Sequence, residues 1–120
     1  MKRNMDLVRK LIFAIEEHPP DSVPDRLAVE GFTDEQVGYH LSIMLDAGLV
    51  QGCDVSTSAC PLPQAMASSL TWAGHEFADA ARNETIWNQA KKTVKEKVGS
   101  VSISLMTKYL QDLAKSALGL

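Results

Sequence analysis

Residues 33–50, Thr-Asp-Glu-Gln-Val-Gly-Tyr-His-Leu-Ser-Ile-Met-Leu-Asp-Ala-Gly-Leu-Val, constrain the fold more than any other part of the chain. Thr33 and Gln36 are spaced as the N-cap and N3 of a capping box, in which each side chain satisfies an amide that the helix start leaves open. Val37, Leu41, Met44, Leu45 and Gly48 then follow one helical stripe, with Tyr39, His40, Ser42, Ile43 and Asp46 off it or at its margin. Gly48 after Ala47 is a helix-stop signal. An apolar strand follows at once. Further on, residues 69–77, Ser-Leu-Thr-Trp-Ala-Gly-His-Glu-Phe, read as a short strand turning into another helix capped by Thr71. Helix, strand, loop, strand, helix at these lengths is the wiring of a winged helix-turn-helix, most often a reader of duplex DNA. Yet the helix that would enter the groove carries Asp34, Glu35 and Asp46 and no Lys or Arg.

The remaining segments agree with a mainly α chain. Val8, Leu11, Ile12 and Ile15 mark one buried stripe of a helix over 5–18, capped by Asn4 or Asp6 and ended by His18-Pro-Pro. Pro19, Pro20 and Pro24 make 19–24 a stiff loop. Residues 25–30 read either as a short helix or as a strand over 26–29, and a helix-turn-helix requires the helix. The two wing strands are expected at 49–55 and 67–72, around a Ser- and Pro-rich loop at about 56–65. Helices are expected over 72–82, from Asn83 and Thr85 to 98, and over 102–118 after a break at Gly99-Ser100. In the last, Ile103, Met106, Leu110, Leu113, Ala117 and Leu118 form the apolar stripe.

The expected class is therefore mainly α with a small antiparallel β-hairpin (α+β). A winged helix-turn-helix-like core over 1–82 precedes a helical extension, 83–120. That extension, with Trp87, Met106, Leu110 and Leu113, either folds back on the core or forms a homodimer seam.

Length and charge narrow the function. A chain of 120 residues can bury a core without disulfides. No apolar run approaches the ~20 residues that span a bilayer, so no membrane role is expected. Arg9 and Lys10 interrupt any signal-like segment, and two cysteines without export signals suit a cytoplasmic setting. The net charge of −3 is unevenly spread. Residues 1–81 hold five Lys/Arg against twelve Asp/Glu, which gives −7; residues 82–120 hold seven against three, which gives +4. The acidic part repels a phosphate backbone and the basic part attracts one.

Each candidate site has a plainer alternative. Gln36, Tyr39, His40 and Ser42 could hydrogen-bond base edges or a partner; equally, Tyr39 and His40 could pack against the 72–82 helix. Arg9, Lys10, Lys91, Lys92 and Lys95, with Lys2, Arg3 and Lys97, could contact phosphates, or simply be solvated or paired with the acidic half. Cys53 and Cys60 are spaced Cys-x6-Cys, wider than a zinc knuckle, and His40 or His75 would complete a set only by chance of folding, so no metal or other cofactor is expected. No Gly-rich phosphate loop, His-Glu-x-x-His or nucleophile elbow occurs, so no catalytic residue is assigned.

Met1-Lys-Arg-Asn-Met-Asp-Leu-Val-Arg-Lys10, Tyr39-His-Leu, Asp46-Ala-Gly-Leu-Val, Leu70-Thr-Trp-Ala-Gly-His-Glu-Phe, Ile86-Trp87-Asn88 and Leu118-Gly-Leu together resemble a bacterial and phage family, domain of unknown function 2513. The resemblance covers nearly the whole chain. It implies a winged-helix-like fold, frequent occurrence in phage and mobile elements, and no established activity. Residues 53–69 depart from it, being longer and less polar than a wing of that kind.

The expectation is a non-enzymatic accessory or regulatory protein, with duplex DNA as one partner read by the 34–47 helix and the 51–69 wing. The alternative is a protein-interaction module that keeps the winged helix only as a scaffold.

Overall fold

The computed structural model describes residues 2–18, 27–59, 62–97 and 103–119, with side chains except those of 95–97, 103, 104 and 117. Among them the element order is α1 (Met5–Glu17), α2 (Asp34–Asp46), β1 (Val50–Asp54), β2 (Ala65–Leu70), α3 (Trp72–Ala80), α4 (Glu84–Lys97) and α5 (Ile103–Ala117). The class is α+β, five helices with one two-stranded antiparallel hairpin. The chain forms two compact units, Met1–His75 and Glu76–Leu120.

In the first unit the helices begin and end where local chemistry dictates. Asn4 caps α1, its Oδ1 accepting the N–H groups of Asp6 at 2.9 Å and Leu7 at 3.2 Å. Thr33 and Gln36 form the full capping box at the start of α2: Thr33 Oγ1 accepts the Gln36 N–H, and Gln36 Oε1 accepts the Thr33 N–H. The other end of α2 is a Schellman turn. The Gly48 N–H reaches the Leu45 carbonyl and the Leu49 N–H the Met44 carbonyl, with Gly48 at φ +75, a conformation that costs a side-chain-bearing residue far more. The chain leaves this turn aimed into β1.

Residues 27–29 form neither helix nor strand. A turn follows, closed by the Phe32 N–H on the Val29 carbonyl. Residues 25 and 26, the 19–24 loop and the Gly99-Ser100 break lie outside the described residues.

The hairpin pairs Val50 with Leu70, Gln51 with Ser69, and Gly52, Cys53 and Asp54 with Ala67, Met66 and Ala65. The register slips by one at Gln51/Gly52, so Ser68 is the extra residue of a β-bulge, and its hydroxyl donates to the Gln51 carbonyl at 3.1 Å. The second strand is Ala65–Leu70 rather than the expected 67–72. Trp72, which the sequence placed both at the strand end and at the start of the next helix, is the first residue of α3. Thr71 makes that switch: its Oγ1 accepts the Gly74 N–H at 3.1 Å, its N–H bonds the Leu49 carbonyl at 3.0 Å, and its hydroxyl donates to the Gly48 carbonyl.

Leu7, Val8, Leu11, Ile12 and Ile15 of α1, Val37, Leu41 and Met44 of α2, and Leu49, Val50, Ala65, Ala67 and Leu70 of the hairpin are buried. The second unit has its own buried set. Phe77 and Trp87 meet edge to face with ring centroids 5.8 Å apart, and Ala78, Ala81, Ala90, Met106 and Leu110 are buried as well. Asn83 caps α4 through Oδ1 and the Ile86 N–H at 3.0 Å. Leu118, placed on the apolar stripe of the last helix by its spacing, is 75 % exposed just beyond α5.

Candidate functional site

The candidate surface is the outer face of α2 with the hairpin beside it. Its most informative residue is one that faces away from solvent. His40 is 2 % exposed. Its Nε2 accepts the backbone N–H of Asn4 at 2.9 Å, and its Nδ1 lies 2.7 Å from the Gln36 carbonyl. Nε2 as acceptor leaves the proton on Nδ1, so this pattern assigns the neutral Nδ1–H tautomer, with Nδ1 donating to Gln36. The imidazole thus joins the cap of α1 to the middle of α2, and neither ring nitrogen is left for a base edge.

Gln36 is likewise engaged, its side chain closing the capping box at 2.8 Å. Tyr39 is half-buried and meets the His40 ring edge-on at 5.8 Å. Ser42 and Ile43 are half-buried, and Asp34, Glu35 and Asp46 are exposed. What α2 offers outward is carboxylates with a few small polar and apolar groups.

The basic candidates are spread between the two units. Arg9 is half-buried with its guanidinium 5.1 Å from the Phe13 ring centroid. Lys10 is exposed, with Nζ 5.8 Å from the Phe32 ring centroid, just before the α2 cap. Both distances suit a cation over an aromatic face. Lys2 and Arg3 precede Asn4, so the Asn4–His40 bond holds this basic pair near α2. In the second unit Lys91 Nζ lies 6.0 Å from the Trp87 ring centroid and Lys92 is exposed. The side chains of Lys95 and Lys97 lie outside the described residues.

No Lys or Arg occurs between Arg26 and Arg82, while Glu30, Asp34, Glu35, Asp46, Asp54, Glu76 and Asp79 all do. That stretch contains α2, the hairpin and α3. At the end of β1, Asp54 makes a small local turn, its Oδ1 accepting the Ser56 N–H at 2.7 Å. The Ser56 hydroxyl first, and its N–H second, hold the Asp54 carboxyl below the usual carboxylate range. Both bonds favour the anion over the protonated acid.

Two residues where the hairpin meets α2 escaped the sequence reading. Gln64, at the foot of the second strand, donates from Nε2 to the Glu35 carbonyl at 3.4 Å. Its amide end occupies the space over Gly38, where an added Cβ would lie 1.7 Å from Gln64 Oε1. The available signal was Gly38 itself, because a mid-helix glycine costs about 1 kcal/mol relative to alanine and so calls for a packing reason. Among the described residues no cluster of three or more His, Cys, Asp or Glu gathers as a metal site. Cys53 is exposed, and Cys60 lies outside the described residues. No described helix is long and apolar enough to cross a membrane.

Comparison with known proteins agrees with the sequence resemblance. A Haemophilus influenzae protein described as uncharacterized is 35 % identical over 121 residues, spanning 98 % of this chain and 99 % of its own. No solved structure matches. Residues 2–100 match the family described as "Hypothetical protein (DUF2513)", and this chain belongs to that family.

Proposed function

We propose that the chain is a non-enzymatic accessory or regulatory protein whose winged-helix-like scaffold engages a protein partner through the acidic outer face of α2. The supporting observation is the absence of any Lys or Arg from residues 27–81, the stretch holding α2 and the hairpin. A helix docked in a groove meets phosphates along its flanks, and specific readers surround it with cations. Here the flanks carry Asp34, Glu35 and Asp46, and Gln36 and His40, which could read base edges, are bonded within the fold. The complementary partner is a basic segment with some apolar character to meet Tyr39 and Ile43. A cytoplasmic setting and a phage or mobile-element context belong to the same proposal, as does any homodimer through the C-terminal helices.

A second reading, duplex DNA binding, has one observation in its favour. The Asn4–His40 bond draws Lys2 and Arg3 to the side of α2, and Lys10 lies near Phe32 at its start. In that reading these cations hold phosphates, with Lys91 and Lys92 as further contacts.

Fluorescence anisotropy with a labelled random-sequence duplex, from about 50 to 200 mM salt, separates the two. The interaction reading expects no binding at the lowest salt. It also expects amide shifts at residues 34, 35 and 46 when a lysine decapeptide is titrated in and the spectrum followed by NMR. Micromolar binding to the duplex that fades steeply with salt, and is lost on Lys2→Glu with Arg3→Glu, would overturn it in favour of DNA.

A further inference from the structure

β1 is an edge strand of the two-stranded sheet, and residues 51–54 of it are exposed. Its backbone hydrogen-bonding can be assigned from the ladder. The Thr71 N–H bonds the Leu49 carbonyl and the Val55 N–H bonds the Gln64 carbonyl. In an antiparallel pair, hydrogen-bonded and non-bonded positions alternate. Residues 49, 51, 53 and 55 therefore turn their N–H and C=O groups toward β2. Residues 50, 52 and 54 turn theirs away, to the open edge. Sheet edges are usually blunted by shortness, charged side chains, Pro, a bulge or a cover; this five-residue edge has one charge, Asp54, and no Lys or Pro among residues 51–54.

We propose that this edge pairs with the same edge of a second copy of the chain, antiparallel about a two-fold axis at Cys53. Five registers of β1 against itself, centred on residues 50 to 54, bring outward-facing backbone groups opposite one another. Centring on Val50, Gln51 or Gly52 requires Val50 to bond across the axis, but Val50 is 3 % exposed and covered by its own chain. Centring on Asp54 sets two carboxylates directly opposite, which is unfavourable; Ser56 also favours the anion of each. Centring on Cys53 pairs Gly52 of each copy with Asp54 of the other, gives four backbone hydrogen bonds, and places no like charges opposite.

In this register the two Cys53 residues form the central non-hydrogen-bonded pair. Their Cα atoms are about 4.5 Å apart and their Cβ atoms about 4.5–5.5 Å, against the ~3.5–4.5 Å of a disulfide. A slight closing of the strands permits a bond. So short a strand contact buries much less than the ~1,200 Å² of a stable interface, so the pairing is weak and depends on concentration. It is separate from the α2 face and does not depend on what binds there.

The test uses the full chain with Cys60→Ser, which leaves Cys53 as the one thiol, and diamide as oxidant. Diamide accepts two electrons and two protons from two thiols, becoming the hydrazine as the S–S bond forms. Complete labelling of Cys53 by a maleimide before the run establishes that the thiol is reactive. Covalent dimer, reversible by dithiothreitol, is expected on a non-reducing gel. The control carries Cys53→Ser and Gln51→Cys in the same background, because residue 51 faces Val55 of the other copy rather than itself. Trapping through position 53 should be at least about ten-fold faster than through 51, as aligned groups react faster than colliding ones. Equal rates would mean random collision, and no dimer through 53 would mean the edge does not self-pair; either result overturns the proposal.

Discussion

The α1–α2 junction and the hairpin belong to the same unit and treat their polar groups in opposite ways. At the junction the one buried polar side chain among the described residues, His40, is bonded on both sides at 2.9 and 2.7 Å by groups 36 and 4 residues away. In the hairpin the side-chain bonds lie at the surface, as in Ser69 to Gln51 and Gln64 to Glu35, both 3.4 Å. Water competes with the second kind of bond and not with the first. The junction is thus the part that must be right for the fold to exist. The hairpin is held by its backbone ladder and by the apolar side chains at its base, Val50, Ala65, Ala67 and Leu70, while its polar side chains stay within reach of solvent.

The largest expected effect follows from removing the buried bond. His40→Ala strips the Asn4 N–H of its acceptor and leaves a cavity under the α1 cap. The two losses together should lower unfolding stability by about 2–4 kcal/mol. Urea unfolding followed by circular dichroism reads it. His40→Phe keeps most of the volume but not the acceptor, and should still cost about 1–3 kcal/mol. If His40→Ala cost less than the hairpin substitution below, the contrast between the two regions would be reversed.

The reason His40 looked like a surface candidate is instructive. Its neighbours on the helical stripe, Val37, Leu41 and Met44, were legible because burial on one helix face is a periodic, local property. So were the caps at Thr33 and Thr71 and the stop at Gly48, each decided within a few residues, while the cap of α1 was narrowed only to Asn4 or Asp6 and the restart of the next helix to Asn83 or Thr85. The Asn4–His40 bond spans 36 positions, and no spacing rule encodes such a pair. The bulge at Ser68 was illegible for a related reason: one extra residue breaks the in-and-out alternation, so that Ala65, Ala67 and Leu70 are the buried positions, and a strand of six residues is too short to show such a break in its sequence. Residues 27–29 fit a helix or a strand by composition, but local propensity is a weak prior that tertiary context overrides.

In the hairpin, Gly52→Ala is the next effect in size. Its Cβ would lie 2.0 Å from the Met66 carbonyl oxygen and 2.9 Å from the Ala67 Cα, both backbone atoms beside the bulge. Neither can step aside alone, so the strands must move apart, at a cost of about 1–3 kcal/mol. Amide hydrogen exchange should show this loss first at residues 53–55 and 64–67, with α1 amides less affected. Uniform loss across the unit would mean that the hairpin and the junction unfold together.

Gly38→Ala is the smallest change and the sharpest. A clash is equally plain there, 1.7 Å from Gln64 Oε1, but the offending atom is the free end of a side chain. Gln64 can swing away and lose only a long bond to the Glu35 carbonyl. Alanine in the helix meanwhile gains about 1 kcal/mol over glycine. The two effects oppose, so the net change should fall within about 1 kcal/mol of zero. The Gln64→Ala background removes the opposition: nothing then fills the space, and Gly38→Ala should stabilise by about 0.5–1 kcal/mol. The difference between backgrounds measures what the tether contributes. A Gly38→Ala effect identical in both would mean that Gln64 contributes nothing, and that the hairpin is held to α2 by its strands alone.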